Sequence, residues 1–148
     1  MAIRDIVKDG DPLLRKTCRP VTDFDAKLGR ILDDMLETMK KADGVGLAAP
    51  QVGFLRRFAI CEIDGGEILE IVNPEILEQS GSAVGAEGCL SCPKKYEDIV
   101  RPKHIKLKYL DRFGVEHIRE FDDFNARVIC HERDHLDGIL FYDKAVKK

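Results

Sequence analysis

Residues 130–135 constrain this chain more than any other stretch. They read Cys130-His131-Glu132-Arg133-Asp134-His135. On a helix, residues four apart stack on one face. His131 and His135 can therefore grip one divalent metal, with Glu132 beside it to take a proton from an attacking water. Phe124, Val128, His131 and His135 recur at spacings of 4, 3 and 4. The histidines thus stand where a buried apolar stripe would continue. Two histidines at ligand spacing around a glutamate are an expensive way to fill a core, which favours a metal site over a packing role. A fold that carries this helix must bury most of it and bring a third ligand to it.

That ligand comes from upstream. Zinc-protease patterns place it downstream as a histidine or a glutamate. Here Phe141 stands where the histidine should be, and no glutamate follows His135. The spacing leaves Cys89, Cys61, Cys18, Cys92, Glu87, His104 and His117 as candidates.

The rest of the pattern is α+β. An amphipathic helix is expected over about 24–42, with Leu28, Ile31, Leu32, Met35, Leu36 and Met39 at helical spacing. Thr22 or Asp23 would cap it, and Gly44 would end it. Residues 11–20 read as extended or turn-rich between Pro12 and Pro20. Short β-rich runs follow at 58–63, 67–73, 104–111 and 114–121, with turns at 64–66, 73–74 and 112–114. The metal helix itself is expected from Asp122 or Asp123 to Asp137, with Gly138 just past its end. The expectation is a single catalytic domain over 1–148, with antiparallel strands packed around a central helix bearing the histidines.

Composition narrows the partners. The net charge of −3 gives no basic field for nucleic acid, so no direct nucleic-acid recognition is expected. No apolar stretch is long enough for a membrane span, and the charged N-terminal residues do not read as a signal peptide. Five cysteines, an odd number, argue for reduced thiols in a cytoplasm rather than a disulfide framework.

Two further stretches stand out. Glu87-Gly88-Cys89-Leu90-Ser91 follows a glycine-rich approach, where a bent backbone could turn a thiolate toward metal or simply bury a cysteine. Gly44-Val45-Gly46-Leu47-Ala48-Ala49-Pro50-Gln51 offers small residues against which another chain could lie, and a neutral amide donor in Gln51.

Together, residues 44–51, 87–91 and 131–135 resemble the three signature motifs of the peptide deformylase family, in the family's order and at similar separations. Residues 11–16 (DPLLRK) are also similar, so the resemblance covers about 6–141. It implies Cys89, His131 and His135 as ligands, with water in the fourth position, and Glu132 as general base and then acid. It implies the backbone N–H of Leu90 and the Gln51 amide as oxyanion donors, with Val45, Gly46 and Gly88 along the peptide groove. Phe124 and Val128, on the stripe with His131, are expected at the methionine side chain. The implied reaction is hydrolysis of the N-formyl group from nascent chains beginning with formyl-methionine, releasing formate. The implied cofactor is one divalent metal per chain, Fe²⁺ natively, with Zn²⁺, Ni²⁺ or Co²⁺ able to substitute. The ribosome near its exit tunnel is a further partner by the same implication. Longer members carry a C-terminal docking helix, and the tail 143–148 is too short to count on for that.

The chain departs from the family pattern at Cys130, where glutamine is frequent, and at Arg133, where an apolar residue is usual. Cys92 and Lys94 replace the usual aliphatic residue and glycine. None of these removes an implied ligand, base or donor. Cys89 and Cys92 also form a C-x-x-C, which reads as a buried aliphatic stand-in at Cys92, a redox pair, or half of a zinc knuckle that no second C-x-x-C completes. Asp134 is expected to be a solvated helix residue or one paired with Arg101 or Arg127, with no catalytic role. A metallopeptidase using the same helix and a catalytically silent binding protein are the competing classes.

Overall fold

The computed structural model describes residues 2–146. The first helix, α1 (Ala26–Lys41), forms where apolar residues recur at helical spacing. Leu28, Ile31, Leu32, Met35 and Met39 are buried. Its cap is Asp25, whose carboxylate accepts from the Leu28 N–H, so the start lies two or three residues beyond the expected Thr22 or Asp23. Its stop also shifts by one. Asp43 takes the left-handed turn (φ 57°), and Gly44 then donates its N–H back to Met39.

The strands are β1 (Gly46–Ala48), β2 (Phe58–Glu62), β3 (Ile68–Ser80), β4 (Ala83–Cys89), β5 (Cys92–Arg101), β6 (His104–Leu110) and β7 (Glu116–Asp122). Five of them form an antiparallel sheet in the order β1-β2-β3-β6-β7, and β4 pairs with β5 in a separate hairpin. The second helix, α2 (Asp123–Leu136), follows β7 directly and ends at Gly138 (φ 74°), as expected. Among the described residues no helix is long and apolar enough to cross a membrane.

Strand β2 shows how the layers form. Phe58 and Ile60 pack with α1 residues Leu32, Met35 and Met39. Ala59 and Cys61 pack on the opposite face with α2 residues Ala126, Ile129 and Leu136. Both faces of the strand are buried, which is why its sequence is continuously apolar instead of alternating. The sheet is thus covered by one helix on each face.

Two expectations fail here. The turn at Asn73-Pro74 is a bulge inside one long strand, with the β3–β6 register slipping between Val72 and Glu75. Asn73 takes a positive φ (49°), and its side-chain amide bonds both the N–H and the C=O of Val21. Tertiary contacts use the turn chemistry to pin the N-terminal segment rather than to reverse the chain. The glycine-rich approach to Cys89 is β4 itself, paired with β5 from Ala83 to Glu87 and again at Cys89, with the register slipping at Gly88.

Candidate metal centre

The site forms at the seam between α2 and the β4–β5 hairpin. From α2 come His131, Glu132 and His135, all buried. From the hairpin comes Cys89, the last residue of β4, followed by the two-residue turn Leu90-Ser91. One ligand atom from each of Cys89, His131 and His135 lies within 4.8 Å of the others. The Cys89 sulfur is 3.4 Å from His135 Nε2. Of the upstream candidates the spacing left open, Cys89 meets the histidines; Cys18, Cys61 and Cys92 are buried thiols outside this cluster. His104 and His117 are on β6 and β7, where they pair with Asp122 and Glu120, and with Asp111.

Glu87, the remaining candidate, sits behind the ligands. Its Oε1 accepts from His131 Nδ1 (2.9 Å), which leaves His131 Nε2 as the open ring nitrogen. The same carboxylate takes two bonds from Arg101 (2.9 Å each) and one from Arg127 (2.7 Å). Arg101 also donates to Asp134 (2.6 Å), which Lys144 pairs from the other side (3.0 Å). Asp134 is therefore Arg101's partner, while Arg127 belongs to Glu87. Burial would raise the Glu87 carboxyl, but the His131 and Arg101 hydrogen bonds outweigh it and hold its pKa down to about 2.

The electrostatics favour a cation at the seam. Burial works against charge on His131, yet Glu132, Cys89 and Glu87 outweigh it and push its pKa up to about 10. A divalent ion would occupy the place of that proton. Burial, then the charges of His131 and Arg101, push His135 well below its usual range, so it is a neutral imidazole ready to ligate. Its Nδ1 has no partner. One soft thiolate and two imidazoles suit a first-row divalent ion, so the donor set fits a metal.

Glu132 is 5% exposed, with Oε2 3.9 Å from His131 Nε2 and Oε1 without a partner. Burial raises its carboxyl to about 7, with the His131 charge opposing. A carboxyl near neutrality can both accept and return a proton. Its close approach to β1 explains Gly46: a Cβ there would collide with the Glu132 carboxylate.

Gln51 is buried in the short 3₁₀ turn Ala49–Val52. Its Oε1 accepts from the Ala48 N–H (2.9 Å), which orients Nε2 outward to Ser91 Oγ (3.0 Å) and Cys89 Sγ (3.5 Å). A cavity of about 610 Å³ opens beside the ligands, with Val45, Gly46, Gly88, Leu90, Phe124 and Val128 on its walls. The expected stripe divides along its length. Val128 is buried, but Phe124, in the first turn of α2, is 45% exposed. Gly88 lies under the Tyr96 ring, where a Cβ would clash.

Sequence reasoning missed Arg101 as the residue that fixes Glu87. An arginine at a buried position of β5 was the only local signal, and the strand had not been recognised.

A family model described as polypeptide deformylase matches residues 3–148. A peptide deformylase of Thermoanaerobacter pseudethanolicus is 51% identical over 147 residues, covering 99% of this chain and 92% of that relative. Peptide deformylase 1 of Clostridium acetobutylicum is 53% identical over 144 residues, covering 97% and 95%. The crystal structure of peptide deformylase from Thermotoga maritima superposes with a TM-score of 0.97 at 43% identity, covering 99% of this chain and all of that one.

Proposed function

The chain belongs to the peptide deformylase family, hydrolases that remove the N-formyl group from newly made polypeptides, and we propose that the seam between α2 and the hairpin is where it does so. In this reading Cys89, His131 and His135 hold one divalent metal on the central helix of a single catalytic domain. The observation that carries it is the convergence of those three ligand atoms beside the Glu132 carboxylate, whose Oε1 has no partner.

Cys89, His131 and His135 would hold the metal, which would supply Lewis acidity to water and to the formyl carbonyl. The protein's own groups do the rest. Glu132 takes a proton from the attacking water as its oxygen bonds to the formyl carbon. Gln51 Nε2 and the Leu90 N–H donate to the carbonyl oxygen as negative charge gathers there. Glu132 then returns the proton to the amine nitrogen as the C–N bond breaks, and formate leaves. Val45, Gly46 and Gly88 hold the peptide, while Val128 and Phe124 line the methionine slot from floor to mouth.

Iron(II) is the native metal in this reading, and zinc, nickel and cobalt are substitutes. The thiolate supports a softer ion, as iron(II) is beside magnesium or calcium. Five thiols support a reducing cytoplasmic setting. Action near the ribosomal exit tunnel follows from the same substrate. Of the tail 143–148, residues 147–148 lie outside the described residues.

Anaerobic purification with iron, followed by release of formate from formyl-Met-Ala-Ser, tests the reading. One formate per free amine is expected. Casein cleavage without formate release would instead favour a metallopeptidase.

A further inference from the structure

We propose that Cys89 and Cys92 are a disulfide-forming pair, closed by peroxide and reopened by thiols, whose closure removes Cys89 from the metal. The inference rests on the reading of Cys89 as a ligand and goes beyond it, to a modification of the site.

The geometry comes from the hairpin. Cys89 and Cys92 are direct antiparallel partners on either side of the Leu90-Ser91 turn. Such partners have Cα atoms about 4.5–5.5 Å apart. That falls inside the span of about 4.4–6.8 Å that a disulfide bridges. The two side chains also turn the same way. Cys92 is buried with Ile99 and Phe141, and Cys89 packs against that cluster. An aliphatic side chain would fill the slot between Ile99 and Phe141 equally well. What the cysteine adds is a second thiol beside the first.

Access differs between the two. Cys89 is partly exposed beside the cavity, whereas Cys18, Cys61, Cys92 and Cys130 are buried. A small oxidant entering by the substrate's route meets Cys89 first. The Cys89 sulfur attacks one peroxide oxygen, the O–O bond breaks, and a sulfenic acid and water result. The Cys92 sulfur then attacks the Cys89 sulfur, the S–O bond breaks, and a second water leaves. Two thiols lose two electrons, and one hydrogen peroxide becomes two waters. A dithiol reverses the change by exchange. Because Cys92 lies next to Cys89, the bridge forms before Cys89 climbs to the irreversible sulfinic acid.

The test uses the full chain loaded with zinc, so that peroxide has no redox chemistry at the metal. Stoichiometric peroxide is added, free thiols are alkylated, and cleavage after Glu87 and Glu97 isolates the peptide 88–97, which holds these two cysteines and no other. The expected result is a loss of about 2 Da on that peptide, zinc released in step with it, and both reversed by dithiothreitol. Cys92→Ser should instead add oxygen at Cys89, and dithiothreitol should restore it less well. Oxygen added at Cys89 in the unsubstituted protein, with Cys92 still alkylated, overturns the proposal. So does a bridge that forms while zinc stays bound. If the protein takes up no metal before oxidation, the ligand reading fails, and the mass of peptide 88–97 still decides whether the pair bridges.

Discussion

The five-stranded sheet and the β4–β5 hairpin hold the same site from two sides, by different physics. The sheet side is apolar on both faces, with α1 and α2 packed over strands such as β2. The hairpin side has a small apolar cluster of Cys92, Ile99 and Phe141. Its hold on α2 is also ionic, with Glu87 and Arg101 of the hairpin paired to Arg127, His131 and Asp134 of α2. In the proposed reading the sheet side carries the proton-transfer residue, Glu132, on α2. The hairpin side carries the proposed sulfur ligand, Cys89, beside a charged latch. Loss of packing on one side and loss of charge on the other should therefore have different signatures.

The largest expected effect lies on the helix. Glu132→Gln should keep the metal and lower turnover by at least about 10²–10⁴-fold. Metal analysis beside formate release checks it, and near-normal turnover would take Glu132 out of the mechanism.

Next comes the latch. Arg101→Met leaves Glu87 and Asp134 buried without their main partner, which should cost about 3–5 kcal/mol in denaturant unfolding. Leu32→Ala on the sheet side should cost a similar 2–5 kcal/mol or so by opening a cavity. The difference is in the metal. Only the Arg101 variant should also lose metal affinity, by about 10–100-fold, because Glu87 no longer orients His131. Equal metal affinities in the two variants would erase the distinction between the sides.

Acidity sharpens the same comparison. In the metal-free protein the His131 pKa lies near 10, above its ordinary 6.5. Its proton therefore contributes stability that is present below about pH 6.5 and is lost as pH rises toward about 10. A metal must displace that proton, so affinity should rise by about tenfold per pH unit across this window. Competition with a chelator at several pH values measures it, and a flat profile would contradict the proton's placement.

The sequence disclosed the two sides unequally, for a physical reason. Helices α1 and α2 and strand β6 have periods that survive in the sequence, and β2 a continuous apolar run, because each packs against apolar neighbours. Strands β4 and β5 do not. Glycine and alanine in β4, and Pro93, Lys94 and Lys95 in β5, read locally as bend and loop. These strands are held by each other and by buried charge. Glu87 meets Arg101 across 14 residues, and His131 across 44. Contacts at such separations leave no periodic trace. Of the proposed ligands, His131 and His135 are legible from their spacing alone, and Cys89 only where three motifs are read together.

Lys94 gives the smallest effect. It sits in β5 with a left-handed backbone (φ 63°), the conformation that favours glycine. Lys94→Gly should change stability by no more than about 1 kcal/mol, in the stabilising direction, as relief of strain offsets the freedom glycine adds to the unfolded chain. Thermal unfolding of the zinc form checks it.

X-ray absorption at the zinc edge of the loaded protein tests most directly whether both sides supply the site. One sulfur at about 2.3 Å and two imidazole nitrogens at about 2.0–2.1 Å are expected, the sulfur from the hairpin and the nitrogens from α2. A spectrum with no sulfur, or with a second sulfur in the shell, would contradict a centre built from Cys89, His131 and His135.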